Sequence, residues 1–217
     1  KNILLGKFDY KKDSNFSIVS SKYSSKTIYL RNEVLLKFDQ MYNAALKDGI
    51  KLVIISGTRS FNHQKYIWDR KWAKNIQKMD SISAVKEIMK YSSMPSTSRH
   101  HWGTDIDLNN LENSYFEIGE GKKIFDWLVE NASKYGFHMT YDNQEETKRT
   151  GYKMEKWHWS YMPISEQFLI QFNEYINCEN ISSFKGSKFA CHPKVDVIKN
   201  FVNGINTDFK KIINVTE

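Results

Sequence analysis

Two short stretches hold most of the chemistry of this 217-residue chain, although about fifty positions separate them. The first is Ser98-Arg99-His100-His101-Trp102-Gly103-Thr104-Asp105-Ile106-Asp107, and the second is Glu155-Lys156-Trp157-His158-Trp159. If they act together, any fold the chain adopts must bring them side by side. A catalytic zinc takes three protein ligands of the His, Asp or Glu type and keeps one position open for water. A carboxylate beside that water can accept its proton. His100, Asp107 and His158 offer such a ligand set, and Glu155 offers such a base. Asp105 lies two residues from Asp107 and would share its strand face, so it stays open as the alternative carboxylate.

The spacing adds local structure. His100 and Asp107 are an odd number of residues apart, and a straight strand would point them to opposite faces. Gly103 between them permits a bend that brings both to one side. The run Trp157-His158-Trp159-Ser160-Tyr161-Met162 is aromatic-rich and ends at Pro163, which suits a strand. Glu155 then falls on a turn at the mouth of that strand.

These motifs also carry a resemblance. Ser-x-His-x-x-Gly-x-x-x-Asp followed by Glu-x-x-His-Trp resembles the VanY-like D-alanyl-D-alanine carboxypeptidases, zinc enzymes that trim peptidoglycan peptides. Their wider superfamily includes lysostaphin-type peptidases and the zinc domain of hedgehog proteins. Ser56-Gly57-Thr58-Arg59-Ser60-Phe61 with Gln64 is similar to a third family motif, and Leu4-Leu5-Gly6-Lys7-Phe8 to family openings. Asp105 stands where many members have a small apolar residue. Met154 stands where some have a second glutamate, which leaves Glu155 as the base candidate. The resemblance implies Zn2+ on His100, Asp107 and His158, with Glu155 catalytic. It implies hydrolysis of peptidoglycan stem peptides with release of a C-terminal D-alanine, by D,D- or L,D-carboxypeptidase action. Two alternatives stay open: a cross-link endopeptidase, and a zinc-bearing binding module without turnover. An intact Glu155 argues against the binding module, which needs no proton acceptor there.

Arg59 follows a short apolar run, Leu52-Val53-Ile54-Ile55, that reads as a buried strand. A guanidinium at a strand's end can grip a carboxylate with two prongs or steady a developing oxyanion, so Arg59 is a catalytic and substrate-binding candidate. The plainer reading is a structural ion pair. Gln64 and Ser98 are expected to add substrate hydrogen bonds, with turn or helix capping as the plainer alternative. His63, His138 and His192 lie outside the motifs and read as structural or surface residues; His101 reads as a supporting or surface residue. Trp157 and Trp159 would face away from His158 and into the core.

Helical spacing is expected over 32–49, capped by Asn32 and closed by Gly49, and over 61–76, 84–91, 121–134 and 165–177, the last capped by Ser165. In the second helix Tyr66, Ile67, Trp72 and Ile76 are expected to pack. Phe137 to Tyr141 reads as a strand, Asp142 to Gly151 as a loop, and Val195 to Gly204 as a last helix. Helices separated by short strands, with no repeating strand-helix unit, argue for an α+β fold: a small, mainly antiparallel sheet carrying the zinc site, flanked by helices. We expect one catalytic domain over 1–217, with a core of about 4–177 and a C-terminal helical extension over 178–217.

The net charge of +7 favours an anionic partner. No basic run, zinc-finger spacing or RNA-binding aromatic motif supports nucleic acid, so a cell-wall polymer fits better. No apolar run is long enough to span a bilayer. We expect an exported monomer, periplasmic or in the cell envelope, with a signal removed before Lys1. In such a compartment the only cysteines, Cys178 and Cys191, are expected to form a disulfide.

Overall fold

The computed structural model describes residues 1–208. Its organising element is a four-stranded antiparallel sheet of β3 (Ile54–Ser56), β4 (Asp105–Leu108), β5 (Phe137–Met139) and β6 (His158–Tyr161), in the order β3-β4-β6-β5. A separate two-stranded ribbon joins β1 (Phe16–Ile18) to β2 (Tyr29–Arg31). The expected α+β class is therefore present, with Asp107 and His158 of the two motifs on the two central strands.

Period-two alternation divides those strands cleanly. Ile106 and Leu108 of β4 and Trp159 and Tyr161 of β6 enter the main core, beneath α1 (Asn32–Lys47) and α4 (Gly119–Asn131). Asp105, Asp107, His158 and Ser160 occupy the other face. The register places Asp107 opposite His158 and Asp105 opposite Ser160, so residues some fifty positions apart become cross-strand neighbours. A one-residue slip would send the carboxylates into the core, so burial of the apolar face fixes the chemistry of the polar one.

A second core joins Trp68 of α2 (Phe61–Asn75) to Val85 and Ile88 of α3 (Ser81–Ile88) and to Ile181, Phe184, Ala190, Val195 and Val197. A third packs Leu4 and Leu5 on Trp102, Phe172 and Ile176, with Phe172 carried by α6 (Met162–Tyr175). The N-terminal segment thus covers the back of the metal-motif turn. Trp102 Nε1 donates to the Leu4 carbonyl at 3.2 Å. A Cβ at Gly6 would sit 2.4 Å from the His101 ring, so only glycine permits this approach.

Several local expectations need correction. Asn32 is the first residue of α1 rather than its cap; its side chain instead donates to the Ser14 carbonyl and accepts from the Ser17 hydroxyl. Ser165 lies inside α6, which starts at Met162 because Pro163 suits a first helical turn. In α2 the buried residues are Phe61, Gln64 and Trp68, whereas Tyr66 is 63% exposed. Ile67 turns to the cleft described below. The loop over 142–151 contains one short helical turn, α5 (Gln144–Thr147). The helix expected over 121–134 is α4, Gly119–Asn131, followed by a 3-10 turn at Ala132–Tyr135. The segment 195–204 forms one π-helical turn, Ile198–Val202. Residues 209–217 of the expected C-terminal extension lie outside the described residues.

Cys178 and Cys191 are bonded and clip the segment whose Ala190, Val195 and Val197 pack on α2 and α3. Closing a loop of 13 residues is worth about 3 kcal/mol in the chain-entropy treatment. Reduction should lower the melting temperature while the metal content stays unchanged; calorimetry with parallel elemental analysis checks both.

Candidate active site

The first metal motif is a tight turn followed by a strand. Arg99–Trp102 forms a 3-10 turn, Gly103 takes a left-handed φ of 73°, and β4 begins at Asp105. A Cβ at Gly103 would lie 2.3 Å from the Phe16 ring, so the bend expected at this position requires glycine both for conformation and for space. The turn places His100 over the same sheet face as Asp107. Glu155 lies on the turn that leads into β6, where its amide donates to the Tyr141 carbonyl at 2.9 Å and its carbonyl accepts from the His158 amide at 3.1 Å.

Here the chain brings its sequence-predicted residues together. His100 Nε2 is 3.4 Å from Asp107 Oδ1, and His158 Nδ1 is 3.3 Å from the same oxygen. Glu155 Oε2 is 3.4 Å from His158 Nδ1. His100, Asp107, His158 and Glu155 are all buried. The donor set fits a divalent metal on three counts. His100 Nε2 and Asp107 Oδ1 are buried with no hydrogen-bond partner. The donor atoms of His100, Asp107 and His158 all lie within 4.8 Å of one another. Ligand bonds of 2.0–2.1 Å at tetrahedral angles give donor separations of about 3.3–3.4 Å, the spacing found on both sides of Asp107.

The remaining ring nitrogens are tied down. His100 Nδ1 lies 2.8 Å from the Gly57 carbonyl, to which it can donate, leaving Nε2 with a lone pair for the metal. His158 uses the opposite arrangement: Nε2 lies 3.0 Å from Asp105 Oδ1, and Nδ1 faces Asp107 and Glu155. Asp105 is therefore committed elsewhere. Its Oδ1 also accepts from Arg99 Nε at 2.9 Å, and its Oδ2 accepts from the Thr104 hydroxyl at 2.5 Å. This environment favours Asp107 over Asp105 as ligand and makes Asp105 the carboxylate that orients His158.

Arg59 and Ser98 also line the cleft, whereas Gln64, expected to bind substrate, lies buried behind Arg59 with both amide groups engaged. Arg59 donates to Asp107 Oδ2 at 3.1 Å and to Gln64 Oε1 at 3.1 Å, so the ion pair of the plainer reading is present while the residue still lines the cleft. Gln64 donates in turn to the Ser93 carbonyl at 2.8 Å. Ser98 is buried, lines the cleft and makes no capping hydrogen bond. His101 does not face the metal donors; its Nδ1 is 2.7 Å from the Arg59 carbonyl, and its Nε2 accepts from the Ser96 amide at 3.1 Å. Burial brings the His101 imidazole down to about 3 and so keeps it neutral. His63 lines the cleft, and His192 accepts from the Lys194 amide through Nδ1.

Three supporting residues escaped the sequence. Arg99 is buried and spans the site's floor, with its second prong on the Ser160 hydroxyl at 2.7 Å. Its place inside the first motif was the only signal. Asn113 holds both neighbours of Glu155: its amide nitrogen donates to the Met154 carbonyl at 2.8 Å and its oxygen accepts from the Lys156 amide at 3.0 Å. No motif marks it. Tyr141 packs its ring 4.8 Å from that of His158.

Electrostatics separate the carboxylates. Burial alone would raise Asp105, but the Arg99 guanidinium and His158 hold it well below the usual range. Burial would likewise raise Asp107, and His100, His158 and Arg59 hold it down. For Glu155 burial wins and pushes the carboxyl up to about 7, with Asp107 adding to the rise and His158, Arg59 and Lys71 opposing it. A base near neutrality is well matched to proton transfer. Burial would lower His158, yet hydrogen bonds to Asp105 and Asp107 raise it to about 9.

His100, Asp107, Glu155 and His158 open onto one cleft of about 1070 Å³, bordered by α2, the 111–114 loop and the aromatic rings of Tyr10, Tyr91 and Trp157, while Asp105 lies beneath it.

Comparison with known proteins agrees with the geometry. The VanY family model, described as D-alanyl-D-alanine carboxypeptidase, matches residues 27–164. The Bacillus subtilis protein YodJ is 33% identical over 153 residues, which are 67% of this chain and 51% of YodJ. The LdcB LD-carboxypeptidase, whose structure concerns peptidoglycan recognition, superposes with a TM-score of 0.57 at 26% identity, covering 78% of this chain and 76% of that one. A vancomycin-resistance D,D-pentapeptidase VanY in complex with Zn(II) superposes with a TM-score of 0.54 at 25% identity, covering 74% and 94%. The chain spans about half the length of the curated relatives it matches.

The protonation pattern sets a pH dependence for metal uptake. A metal on His158 Nδ1 requires the neutral ring, and in the metal-free site that ring holds its proton up to about pH 9. Each metal bound therefore releases a proton, and affinity should fall about tenfold for each unit that pH drops below that point. Competition with a chromophoric chelator between roughly pH 6 and 8 measures it. An affinity flat across that range would contradict the assignment.

Proposed function

The chain belongs to the VanY family of D-alanyl-D-alanine carboxypeptidases, and from that membership we propose that it hydrolyses peptidoglycan stem peptides in a zinc-dependent reaction, releasing a C-terminal D-alanine. The observation that carries the reading is the convergence of His100 Nε2, Asp107 Oδ1 and His158 Nδ1, with Glu155 Oε2 3.4 Å from His158 Nδ1. His100, Asp107 and His158 would hold the zinc. When bound, the metal supplies Lewis acidity toward a water and the scissile carbonyl.

This chain's residues do the rest. Glu155 accepts the proton of the attacking water on its carboxylate and returns it to the departing amine nitrogen. Its raised affinity for a proton, near pH 7, suits both directions of that transfer. Asn113 holds the peptide units on either side of Glu155, so the carboxylate keeps its direction. Asp105 holds the His158 ring in one tautomer, and Arg99 keeps Asp105 charged.

A carboxypeptidase must also recognise a free terminal carboxylate, whose burial without a partner would be costly. We assign that role to Arg59, whose planar fork suits a carboxylate, with Ser98 as a neighbouring hydrogen-bonding group and Gln64 holding the guanidinium from behind. The basic character of the chain agrees with an anionic cell-wall substrate. The domain reading follows the same line: one catalytic unit, with the segment after Asn177 packed on α2 and α3 as its outer wall.

Mass spectrometry of defined muropeptides after incubation with the zinc-loaded protein tests the reaction. Loss of one terminal residue is expected; separation of cross-linked peptides would instead identify an endopeptidase, and no change would identify a binding module. Glu155→Gln should keep its zinc and lose about 10²–10⁴-fold in turnover, the usual contribution of a general acid–base group. Near-normal turnover in that variant would remove Glu155 from the mechanism.

A further inference from the structure

The wall of the cleft formed by α2 carries more positive charge than the mechanism uses. His63, Ile67 and Lys71 recur every fourth residue and line the cleft together with Arg70. This is one helical face. Lys26 and Arg59 add further cations, while the carboxylates on the cleft are Asp107, Glu112 and Glu155. Arg59 already holds Asp107.

Lys71 stands out within this set. It is half-buried, and its ammonium donates to the Ser92 hydroxyl. Among the described residues it has no carboxylate within ion-pair distance. Two other half-buried lysines find one, Lys65 with Asp69 at 2.5 Å on the same helix and Lys156 with Glu117 at 3.5 Å, while Lys37, away from the cleft, donates to the Gln40 side chain instead. Burial pulls the Lys71 ammonium down in pKa, an effect that Arg59 and Arg70 reinforce and Glu155 opposes, so Lys71 lies within the electrostatic field of the site. A partly desolvated cation that no carboxylate neutralises is a receptor for an incoming anion.

We propose that Lys71 forms an anion subsite for a second acidic group of the substrate, so that the preferred ligand is a peptide bearing a side-chain or branch carboxylate upstream of its free C-terminus. The inference rests on the carboxypeptidase reading, in which Arg59 takes the terminal carboxylate. Arg59 precedes α2, and Lys71 lies ten residues past the first helical position, roughly 15 Å along the axis. Both long side chains reach into the same cleft, so a second carboxylate upstream on the same peptide can meet Lys71 while the terminus meets Arg59. Arg70, exposed beside Lys71 with its guanidinium 5.7 Å from the Tyr66 ring, adds positive field at the same end of the helix.

The test measures binding apart from turnover. Pentapeptides ending in D-alanyl-D-alanine carry one glutamate at the first, second or third position, and each has a glutamine counterpart. Calorimetry on the zinc-loaded Glu155→Gln protein gives the acid-to-amide affinity ratio at each position. The expected result is a preference of about tenfold for the acid at one position, the scale of one charge-assisted hydrogen bond. Adding Lys71→Met should bring that ratio to within about twofold, adding Lys71→Arg should keep most of it, and adding Lys71→Glu should invert it. Absence of any acid preference, or a ratio that survives both Lys71→Met and Lys71→Glu, would overturn the subsite. If the unmodified enzyme cleaves none of these peptides while the Lys71-dependent preference remains, the hydrolytic reading falls and the anion subsite stands.

Discussion

Asp105 is fully buried, and its carboxylate holds the far nitrogen of His158. The rest of the site depends on keeping that carboxylate charged in a dry place. An isolated buried carboxylate would cost several kcal/mol and would take up a proton instead. Arg99 prevents this with a contact of 2.9 Å, and Thr104 satisfies the second oxygen. With Asp105 ionised, His158 is fixed with Nε2 toward the floor of the site and Nδ1 toward Asp107 and Glu155. Removing Arg99 would favour a protonated Asp105 with a weaker hold on His158, so a residue that touches no metal donor still governs where a metal can sit.

The same logic extends outward. Asp107 uses one oxygen for Arg59 and leaves the other bare, and Arg59 is held through Gln64 and, at its carbonyl, through His101. His101 in turn rests against Gly6, in the segment whose leucines pack on Trp102. The N-terminal segment, which lies far from the cleft in sequence, thereby buttresses the turn that presents His100. Each shell is satisfied by the next, as buried polar networks must be.

Much of this was legible in the sequence, for identifiable reasons. His100, Asp107, His158 and Glu155 could be read because ligand chemistry restricts residue type and because Gly103 and Pro163 mark where the chain must bend or stop. Trp159 could be assigned to the core from strand alternation alone, whereas Trp157, just before β6, packs on the core and also borders the cleft. Strand alternation left Asp105 open beside Asp107, since both lie on one face; the motif pointed to Asp107, and the position of Arg99 beneath Asp105 supports that choice. The packed face of α2 was read only in part: Trp72 packs on the second core as expected, but that core also takes Trp68, while Tyr66 is exposed and Ile67 lines the cleft. Asn113 was invisible because an amide that braces a loop 41 residues away leaves no local pattern. Caps at Asn32 and Ser165 failed for a shared reason: each side chain found a tertiary partner, Ser14 and Ser17 for the first and Ser160 for the second.

The central claim is that two histidines present different ring nitrogens, and that Asp107 rather than Asp105 completes the set. Anomalous diffraction at the zinc edge from zinc-loaded crystals tests it most directly. The account predicts a single strong site bonded to His100 Nε2, His158 Nδ1 and Asp107, with Asp105 still on His158 Nε2. Zinc on Asp105, or on His158 through Nε2, would contradict it.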